Sequence, residues 1–181
     1  IRMYKDNYYP SGYTYNATTP MKSILSASYF FASPATPTTP LGFVSADIEF
    51  VNYSGIKYYS TDNSSSVINY YDDLNQTIKN LYTNAVNFKL GSEVRINKNW
   101  LIRGGAAVYS SPYKDKTIDA GKLVGSGGLG YRIGNQFIDL TLMNVYSKDA
   151  IFPYHLTDKD SYYATQNANH FYFSIGYGIK F

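Results

Sequence analysis

The sequence lacks cysteine, long apolar runs and blocks of like charge, and each absence excludes a class of protein. Without cysteine there is neither a disulfide framework nor a thiolate nucleophile. No apolar run approaches the roughly 18 to 20 residues that a transmembrane helix needs. Charged residues make up only 16% of the chain and the net charge of +3 is scattered, so a nucleic-acid-binding protein is not predicted.

Aromatic residues are what the chain has in excess. Its 181 residues include 21 tyrosines and 10 phenylalanines, enough for one domain rich in amphipathic rings. The mean hydropathy of −0.30 is typical of soluble proteins. A membrane β-barrel gives the same average, because only alternate side chains of each strand face lipid. Mean hydropathy therefore does not separate the two classes.

The last segment, residues 170–181, alternates strictly between large apolar and small or polar residues. The apolar positions are Phe171, Phe173, Ile175, Tyr177, Ile179 and Phe181. A period of two is what a strand needs when one of its faces meets an apolar phase and the other a polar one. This segment is predicted to be such a strand.

Six further segments alternate in the same way, so seven strands are predicted: residues 21–31, 42–53, 85–96, 100–110, 122–133, 137–146 and 170–181. Each spans about 10 to 12 residues, which is longer than the 5 to 6 usual in globular sheets. A tilted strand needs about 9 to 11 residues to cross a bilayer. The strand length therefore favours an all-β fold, an antiparallel transmembrane β-barrel.

Short and long connections alternate along the chain, as they do in membrane barrels. The short ones are residues 97–99 and 134–136, together with a stiff proline-rich turn at residues 32–41. The long ones are residues 54–84, 111–121 and 147–169. In the first of these, a short amphipathic helix is predicted over residues 71–82, with an acidic first turn and the apolar residues Leu74, Ile78 and Leu81.

Seven is an odd count, whereas bacterial single-chain barrels have an even number of strands. Seven strands alone would also leave two open edges in lipid, at several kcal/mol per unpaired backbone group. The whole chain, residues 1–181, is therefore interpreted as the C-terminal part of one barrel domain. Its N-terminal strands are expected upstream of Ile1 or on another chain.

At this point the sequence resembles the FadL/TodX-type outer-membrane transporters of hydrophobic compounds, in the form found in Bacteroidetes-like bacteria. The resemblance covers residues 19–181 and lies in the segments TPMKSILSASYFF, GFVSADIEFVNYS, NAVNFKLGSEVRI, LIRGGAAVYSSPYK, GGLGYRIGNQFIDLTLM and FYFSIGYGIKF. It implies a barrel of fourteen strands with an N-terminal plug, of which these seven would be the second half. The plug and most ligand contacts of that family would lie upstream, so no family ligand residue is carried over.

Charged residues in alternating positions mark the face that is expected to line the lumen: Asp47, Glu49, Lys89, Glu93, Arg95, Arg103, Arg132 and Asp139. One interpretation is a ladder of cross-strand ion pairs in a wet lumen. The other is a basic cluster of Arg95, Arg103, Lys122 and Arg132 that holds a fatty-acid carboxylate, since arginine binds carboxylates bidentately. The loop helix is either a landing site for substrate or a lid that packs on its own loop.

No catalytic, metal or cofactor site is predicted. The two histidines, His155 and His170, share no motif with a serine or with paired carboxylates, so an enzyme is the least favoured hypothesis. Glycines 125, 127, 128 and 130 lie within a strand and no helix follows them, which excludes a phosphate-binding loop. Several aromatic residues near strand ends, among them Trp100 and Tyr131, are expected to anchor the barrel at the membrane interface.

Two function hypotheses follow, both in the bacterial outer membrane. The first is passive transport of hydrophobic small molecules such as long-chain fatty acids or aromatic hydrocarbons, with membrane lipid and the N-terminal half of the barrel as partners. The second is a structural or assembly barrel that binds another outer-membrane protein and transports nothing. A channel should contain a continuous cavity, whereas a structural barrel should be filled.

Overall fold

The computed structural model of the protein describes residues 15–33, 36–61, 64–151 and 164–181. In this part of the chain one α-helix, α1 (Ser65–Leu81), follows the fourth of nine β-strands. The strands are β1 (Asn16–Thr18), β2 (Met21–Ser33), β3 (Thr36–Asn52), β4 (Lys57–Tyr59), β5 (Asn84–Arg95), β6 (Trp100–Tyr109), β7 (Lys122–Ile133), β8 (Gln136–Ile151) and β9 (Ala164–Ile179).

Seven of these strands form one antiparallel sheet in the order β2-β3-β5-β6-β7-β8-β9. Each strand pairs with the strand before it in the sequence, apart from the small sheet of β1 and β4 that lies in the connections. The seven predicted strands are confirmed, because a period-two pattern sustained over ten residues has no other regular backbone solution. The two three-residue strands were not predicted, since they are too short to show a period.

Two predicted connections are shorter in the structure. The β8–β9 ladder continues to the pair Ile151–Ala164, so the predicted loop at residues 147–169 was too long. The predicted proline-rich turn at residues 32–41 was also wrong, because β2 and β3 remain paired as far as Ser33–Thr36. Proline is tolerated there because β3 pairs with β5 only from Gly42 onward, which leaves one of its edges free of ladder bonds.

The helix in the structure begins six residues earlier than the sequence predicts. It was predicted over residues 71–82, whereas α1 starts at Ser65 and Ser64 is its N-cap. The predicted acidic first turn at Asp72 and Asp73 is wrong, because both residues lie in the middle of the helix and the first turn carries no acidic residue. The helix is amphipathic as predicted, and Ile78 is its buried residue. Among the described residues, no helix combines the length and the apolarity needed to cross a membrane.

Two tight turns define one end of the sheet, which we call the turn end. In the first, Asn97 Oδ1 accepts hydrogen bonds of 2.9 Å from the backbone N–H groups of Asn99 and Trp100. The second joins β7 to β8 through Gly134, whose φ of +53° favours glycine. The opposite end, where residues 53–83 and 110–121 emerge, is called the loop end.

The two faces of the sheet differ sharply in chemistry. One, the apolar face, carries large apolar side chains that are highly exposed, such as Leu142 at 63% and Phe171 at 78%. Its members in the six strands β3 to β9 include Val44, Phe50, Phe88, Leu90, Ile102, Val108, Leu123, Leu129, Leu140, Phe173 and Ile175. The other, the polar face, carries the charged side chains. A water-soluble sheet would bury the first face and expose the second.

Aromatic side chains line up across the turn end of the apolar face. Trp100 is opposite Tyr131, Tyr131 is opposite Ile138, and Ile138 is opposite Tyr177. The rings of Trp100 and Tyr131 are 4.7 Å apart. Tyrosine and tryptophan in such a row are typical of a membrane–water interface. The expected anchoring role of this row remains a prediction.

Candidate functional site

All eight residues that were predicted to line the lumen lie on the polar face. The register places Asp47 opposite Lys89 and Glu93 opposite Arg103. Six of them form two ion-paired groups that lie at different heights along the strands, whereas Asp47 and Arg95 form no ion pair with a described residue. We call the two groups the loop-end ionic cluster and the turn-end ionic cluster.

The loop-end ionic cluster is centred on Glu49, which is only 3% exposed. Its carboxylate accepts hydrogen bonds from Lys89 Nζ at 3.1 Å and from Asn87 Nδ2 at 2.8 Å. Lys22 Nζ, from the neighbouring strand β2, lies 2.7 Å from the same carboxylate. Two ammonium groups and an amide therefore satisfy one buried charge, which would be costly if left unpaired.

The turn-end ionic cluster links the four strands β5 to β8 through alternating charges. Glu93 Oε2 accepts a 2.6 Å hydrogen bond from Arg103 Nε, and Arg103 Nη1 donates to Asp139 Oδ1 at 2.9 Å. Arg132 Nη2 completes the network by donating to the two oxygens of Asp139 at 3.0 and 3.1 Å. Two arginines and two carboxylates thus balance each other.

The turn-end ionic cluster depends on a glycine at position 130, because Leu101 and Asp139 both pack closely against its backbone. A Cβ at Gly130 would collide with the side chain of Leu101 and lie 2.8 Å from Asp139 Oδ1. Leu101 is 4% exposed and fills the space above the glycine. Any side chain at position 130 would displace either Leu101 or the carboxylate that holds both arginines.

The structure does not assemble the basic cluster that was considered as a carboxylate site. Arg103 and Arg132 are engaged by Asp139, and Arg95 lies beyond them at the turn end. Lys122 lies at the loop end, where its ammonium sits 4.2 Å above the ring of Tyr109. The observed contacts match the other interpretation, a ladder of cross-strand ion pairs.

Between the two clusters the polar face carries small side chains. Ser45, Gly91, Gly105 and Ser126 are aligned across β3, β5, β6 and β7. Ser45 Oγ and Ser126 Oγ donate to the carbonyls of Gly91 and Gly105, at 3.5 and 3.4 Å. Because these side chains are small, they form a shallow depression across the middle of the polar face, between the two ionic clusters.

A cavity of about 480 Å³ opens at the loop end of the polar face. Its walls include four tyrosines, Tyr53, Tyr82, Tyr109 and Tyr113, and one lysine without a carboxylate partner in the described residues, Lys122. The rings of Tyr82 and Tyr113 stack at 5.3 Å. Burial raises the pKa of Tyr113, and Tyr82 adds to the rise, so the phenol stays neutral at physiological pH.

The predicted helix residues differ in their surroundings. Ile78 is buried, Leu74 is half-buried and Leu81 is 49% exposed. Asn75 fastens the helix to β4, because its side-chain amide exchanges two hydrogen bonds, of 2.8 and 2.9 Å, with the backbone of Tyr58. The helix therefore packs on its own loop, as the lid interpretation expects, and the large apolar side chains that it exposes are Ile68, Tyr70 and Leu81.

A second cavity, of about 230 Å³, lies at the turn end and was not predicted. Arg95, Lys98, Arg132 and Lys180 line it together with the turn residues Asn97, Asn99 and Asn135. The sequence carried only a weak signal for it, since lysine and asparagine are common in any polar turn. Only the pairing of the turns shows that these residues meet.

The structure describes one of the two histidines. His155 lies outside the described residues, and His170 is exposed on β9, with its ring 6.4 Å from that of Tyr172. Within the described part of the chain, no three His, Cys, Asp or Glu residues are placed to hold a metal ion.

Comparison with known proteins adds no family. No protein-family model matches the sequence, and no curated protein is significantly similar to it. The two faces of the sheet and the two cavities are therefore the features that bear on function.

Proposed function

We propose that the chain forms part of a transmembrane β-barrel of the bacterial outer membrane, and that this barrel transports hydrophobic small molecules such as long-chain fatty acids or aromatic hydrocarbons. The observation that carries the proposal is the exposed apolar face opposite an ion-paired polar face. In a membrane barrel the apolar face of such a sheet contacts lipid on the outside, and the polar face contacts water in the lumen.

The size of the apolar face supports this placement. Six interstrand spacings of about 4.8 Å span roughly 29 Å, and the eight residue-to-residue steps from Leu123 to Tyr131 span about 27 Å along a strand. The face therefore covers roughly 800 Å², whereas the largest apolar patch of a soluble monomer is about 300 to 600 Å². A strand of this length, tilted by about 40°, rises about 21 Å along the membrane normal, which covers most of an apolar band of about 25 Å.

The edges of the sheet indicate how the barrel is completed. Among the described residues, β2 and β9 each pair on one side only, and both run from the loop end to the turn end. An antiparallel closure therefore requires an odd number of additional strands. Seven more, from an N-terminal half of the same barrel, would give the fourteen that the resemblance implies.

Transport is supported by the cavity at the loop end and by the low row of small residues below it. The tyrosine rings of the cavity offer an apolar but hydrogen-bonding entrance, and Lys122 offers a charge partner. The row of Ser45, Gly91, Gly105 and Ser126 leaves space along the inner wall. In the proposed path, substrate enters at the tyrosines and passes this row toward the turn end.

Membrane placement can be tested with the only tryptophan of the chain, Trp100. In vesicles of brominated phosphatidylcholine, bromine near the interface is expected to quench Trp100 more than bromine at the bilayer centre. Two variants in a Trp100→Phe background provide matched positions, Leu140→Trp on the apolar face and Thr141→Trp on the polar face. Quenching of the first but not the second supports the proposal, and equal quenching of both would refute it.

Transport can be tested by uptake of radiolabelled oleate and toluene into cells that lack other transporters for these compounds. Tyr109→Ala, in the loop-end cavity, is expected to reduce uptake several-fold. Tyr146→Ala, on the apolar face at a similar height, is the matched control and should leave uptake unchanged. Surface labelling of intact cells verifies equal insertion.

The second candidate is a structural or assembly barrel, which is favoured by one observation: the ion pairs of the polar face neutralise each other and leave few charges for a ligand. If the membrane-inserted protein gave no uptake above that of cells without it, transport would be rejected. The structural barrel would then be the better assignment.

A further inference from the structure

We propose that the turn-end cavity is a binding site for a phosphate monoester, carried either by a phospholipid such as phosphatidic acid or by a small soluble phosphate. The cavity is lined by four cationic side chains and no carboxylate: Arg95, Lys98, Arg132 and Lys180. Its volume of about 230 Å³ exceeds that of a phosphate group and leaves room for part of the group's ester substituent.

The charge in this cavity is not neutralised by the protein. Arg132 shares Asp139 with Arg103, so the turn-end ionic cluster is neutral by itself. Arg95, Lys98 and Lys180 form no ion pair with any described carboxylate. Three unbalanced positive charges thus converge on one concave surface, and an anion there would offset their mutual repulsion.

The frame of the cavity is held by backbone hydrogen bonds between the turns. Arg132 N donates to Asn99 O at 2.7 Å, and Asn99 Nδ2 donates to Arg132 O at 2.6 Å. Lys180 N donates to Asn135 O at 2.8 Å, which fixes the end of β9 against the second turn. The guanidinium, ammonium and amide groups that line the cavity therefore come from three separate parts of the chain, residues 95–99, residues 132–135 and Lys180. A tetrahedral anion with several acceptor oxygens suits such a set of donors.

A phosphate fits this set better than a carboxylate does. A phosphate monoester carries between about 1.5 and 2 negative charges at neutral pH and three acceptor oxygens. A carboxylate carries one charge and two oxygens, and in this fold the carboxylate role beside Arg132 is already filled by Asp139. Three further cations exceed what a second carboxylate would balance.

The position of the cavity points to lipid as one source. Trp100 lines the cavity and also belongs to the aromatic row of the apolar face. If that row lies at the membrane interface, as proposed above, the cations lie at the level of the phosphate groups of the adjacent leaflet. This lipid assignment rests on the proposed membrane placement, whereas binding of soluble phosphate does not.

Trp100 provides the readout because it lines the site. The detergent-purified protein is titrated with inorganic phosphate at constant ionic strength, and separately with dihexanoyl phosphatidic acid in mixed micelles. A saturable change in fluorescence is expected in at least one titration. Acetate and dihexanoyl phosphatidylcholine serve as the carboxylate and zwitterionic controls.

Charge-removing variants identify the site. Arg95→Gln and Lys180→Gln are each expected to weaken binding about fivefold, the effect of removing one cation beside an anionic headgroup. Lys79→Gln, on the exposed surface of α1, is the matched control and should bind as the original protein does. Both targeted side chains are exposed, so their removal leaves the folded state intact, and circular dichroism verifies this.

The results distinguish a lipid phosphate from a soluble one, and they distinguish failure of the phosphate site from failure of the proposed membrane placement. Binding of phosphatidic acid alone assigns a lipid headgroup, and binding of both probes assigns a phosphate of either origin. No saturable change, an equal response to acetate, or equal weakening by Lys79→Gln would overturn the phosphate site. Failure of the bromine-quenching test with intact phosphate binding would instead reject the membrane placement and leave the site standing.

Discussion

A single charge at the centre of the apolar face tests whether that face meets lipid. Leu142 is four residues from Ile138 at the turn end and four residues from Tyr146 at the loop end, and all three share the apolar face. Four residues span about 13 Å along a strand, so Leu142 lies near the midpoint of the proposed apolar band. It is also 63% exposed.

The expected cost of Leu142→Arg depends entirely on the surrounding phase. At the midplane of a bilayer, arginine on the lipid face of a barrel destabilises by about 2 to 4 kcal/mol. On a water-exposed surface the same substitution stays within about 0.5 kcal/mol, because no packing is lost at an exposed site. The loss of unfolding free energy expected for Leu142→Arg is therefore at least about 1.5 kcal/mol larger if the face contacts lipid than if it contacts water.

The measurement is equilibrium unfolding by guanidinium in phosphatidylcholine vesicles, followed by Trp100 fluorescence. Met143→Arg is the matched control, because the next residue in the strand faces Ser126 and Tyr172 on the polar side. It is expected to change the free energy of unfolding by less than about 1 kcal/mol, since its charge remains in water.

A second comparison measures the depth of the band. Tyr146→Arg, at the loop end of the same face, is expected to cost about 0 to 1 kcal/mol, because the penalty falls near the interface. If Leu142→Arg cost less than about 0.5 kcal/mol, or if Leu142→Arg and Met143→Arg cost the same, the apolar face would not be in lipid.

Three further predictions concern the ion pairs and the glycine beneath them. A double-mutant cycle on Arg103 and Asp139 should give a coupling of about 1 kcal/mol, in the range of partly exposed pairs, that decreases at high salt. Gly130→Val should destabilise by more than about 2 kcal/mol in chemical unfolding, because it forces bulk against well-packed neighbours. The Lys148 ammonium and the Gly121 N–H lower the pKa of Asp119 below its ordinary value of 3.8. The contact between the 110–121 loop and Lys148 should therefore be retained above pH 3.8 and lost at lower pH.

Each of these predictions has its own control. Gly127→Val is the match for Gly130→Val, since a Cβ at Gly127 meets nothing within 4 Å, and equal costs would contradict the steric argument. A coupling below about 0.2 kcal/mol would show that the Arg103–Asp139 contact contributes nothing. For the loop, amide exchange of Lys148, whose N–H donates to Gly121 O, is followed between pH 2 and 6.

The sign of the pH effect follows from the depressed pKa. A carboxylate with a lower pKa in the folded than in the unfolded state stabilises the fold above its unfolded pKa and loses that contribution as pH falls through the folded pKa. Lys148→Met should therefore raise the pKa of Asp119 and move the loss of amide protection to higher pH. No movement of the transition would refute the assignment.

The sequence determined the strands of the sheet and the division of its faces. Alternation is a local property that each strand carries by itself, so seven strands and the shared face of Asp47, Glu49 and Lys89 could be predicted without knowing their partners. Strand ends were predicted less well where the alternation stops but the pairing continues, as at Ile151. There the end of the strand is set by backbone hydrogen bonds between β8 and β9, which the polarity of the side chains does not reveal.

Only the tertiary structure decided which charges meet. The sequence left open whether Arg103 and Arg132 are free to bind a carboxylate, because the answer depends on the registers of three strands. Those registers bring Asp139 between the two arginines and leave Arg95, Lys98 and Lys180 unbalanced around the turn-end cavity. Strand register is set by contacts between residues distant in sequence, so periodicity alone predicts the faces of the sheet but not the sites on them.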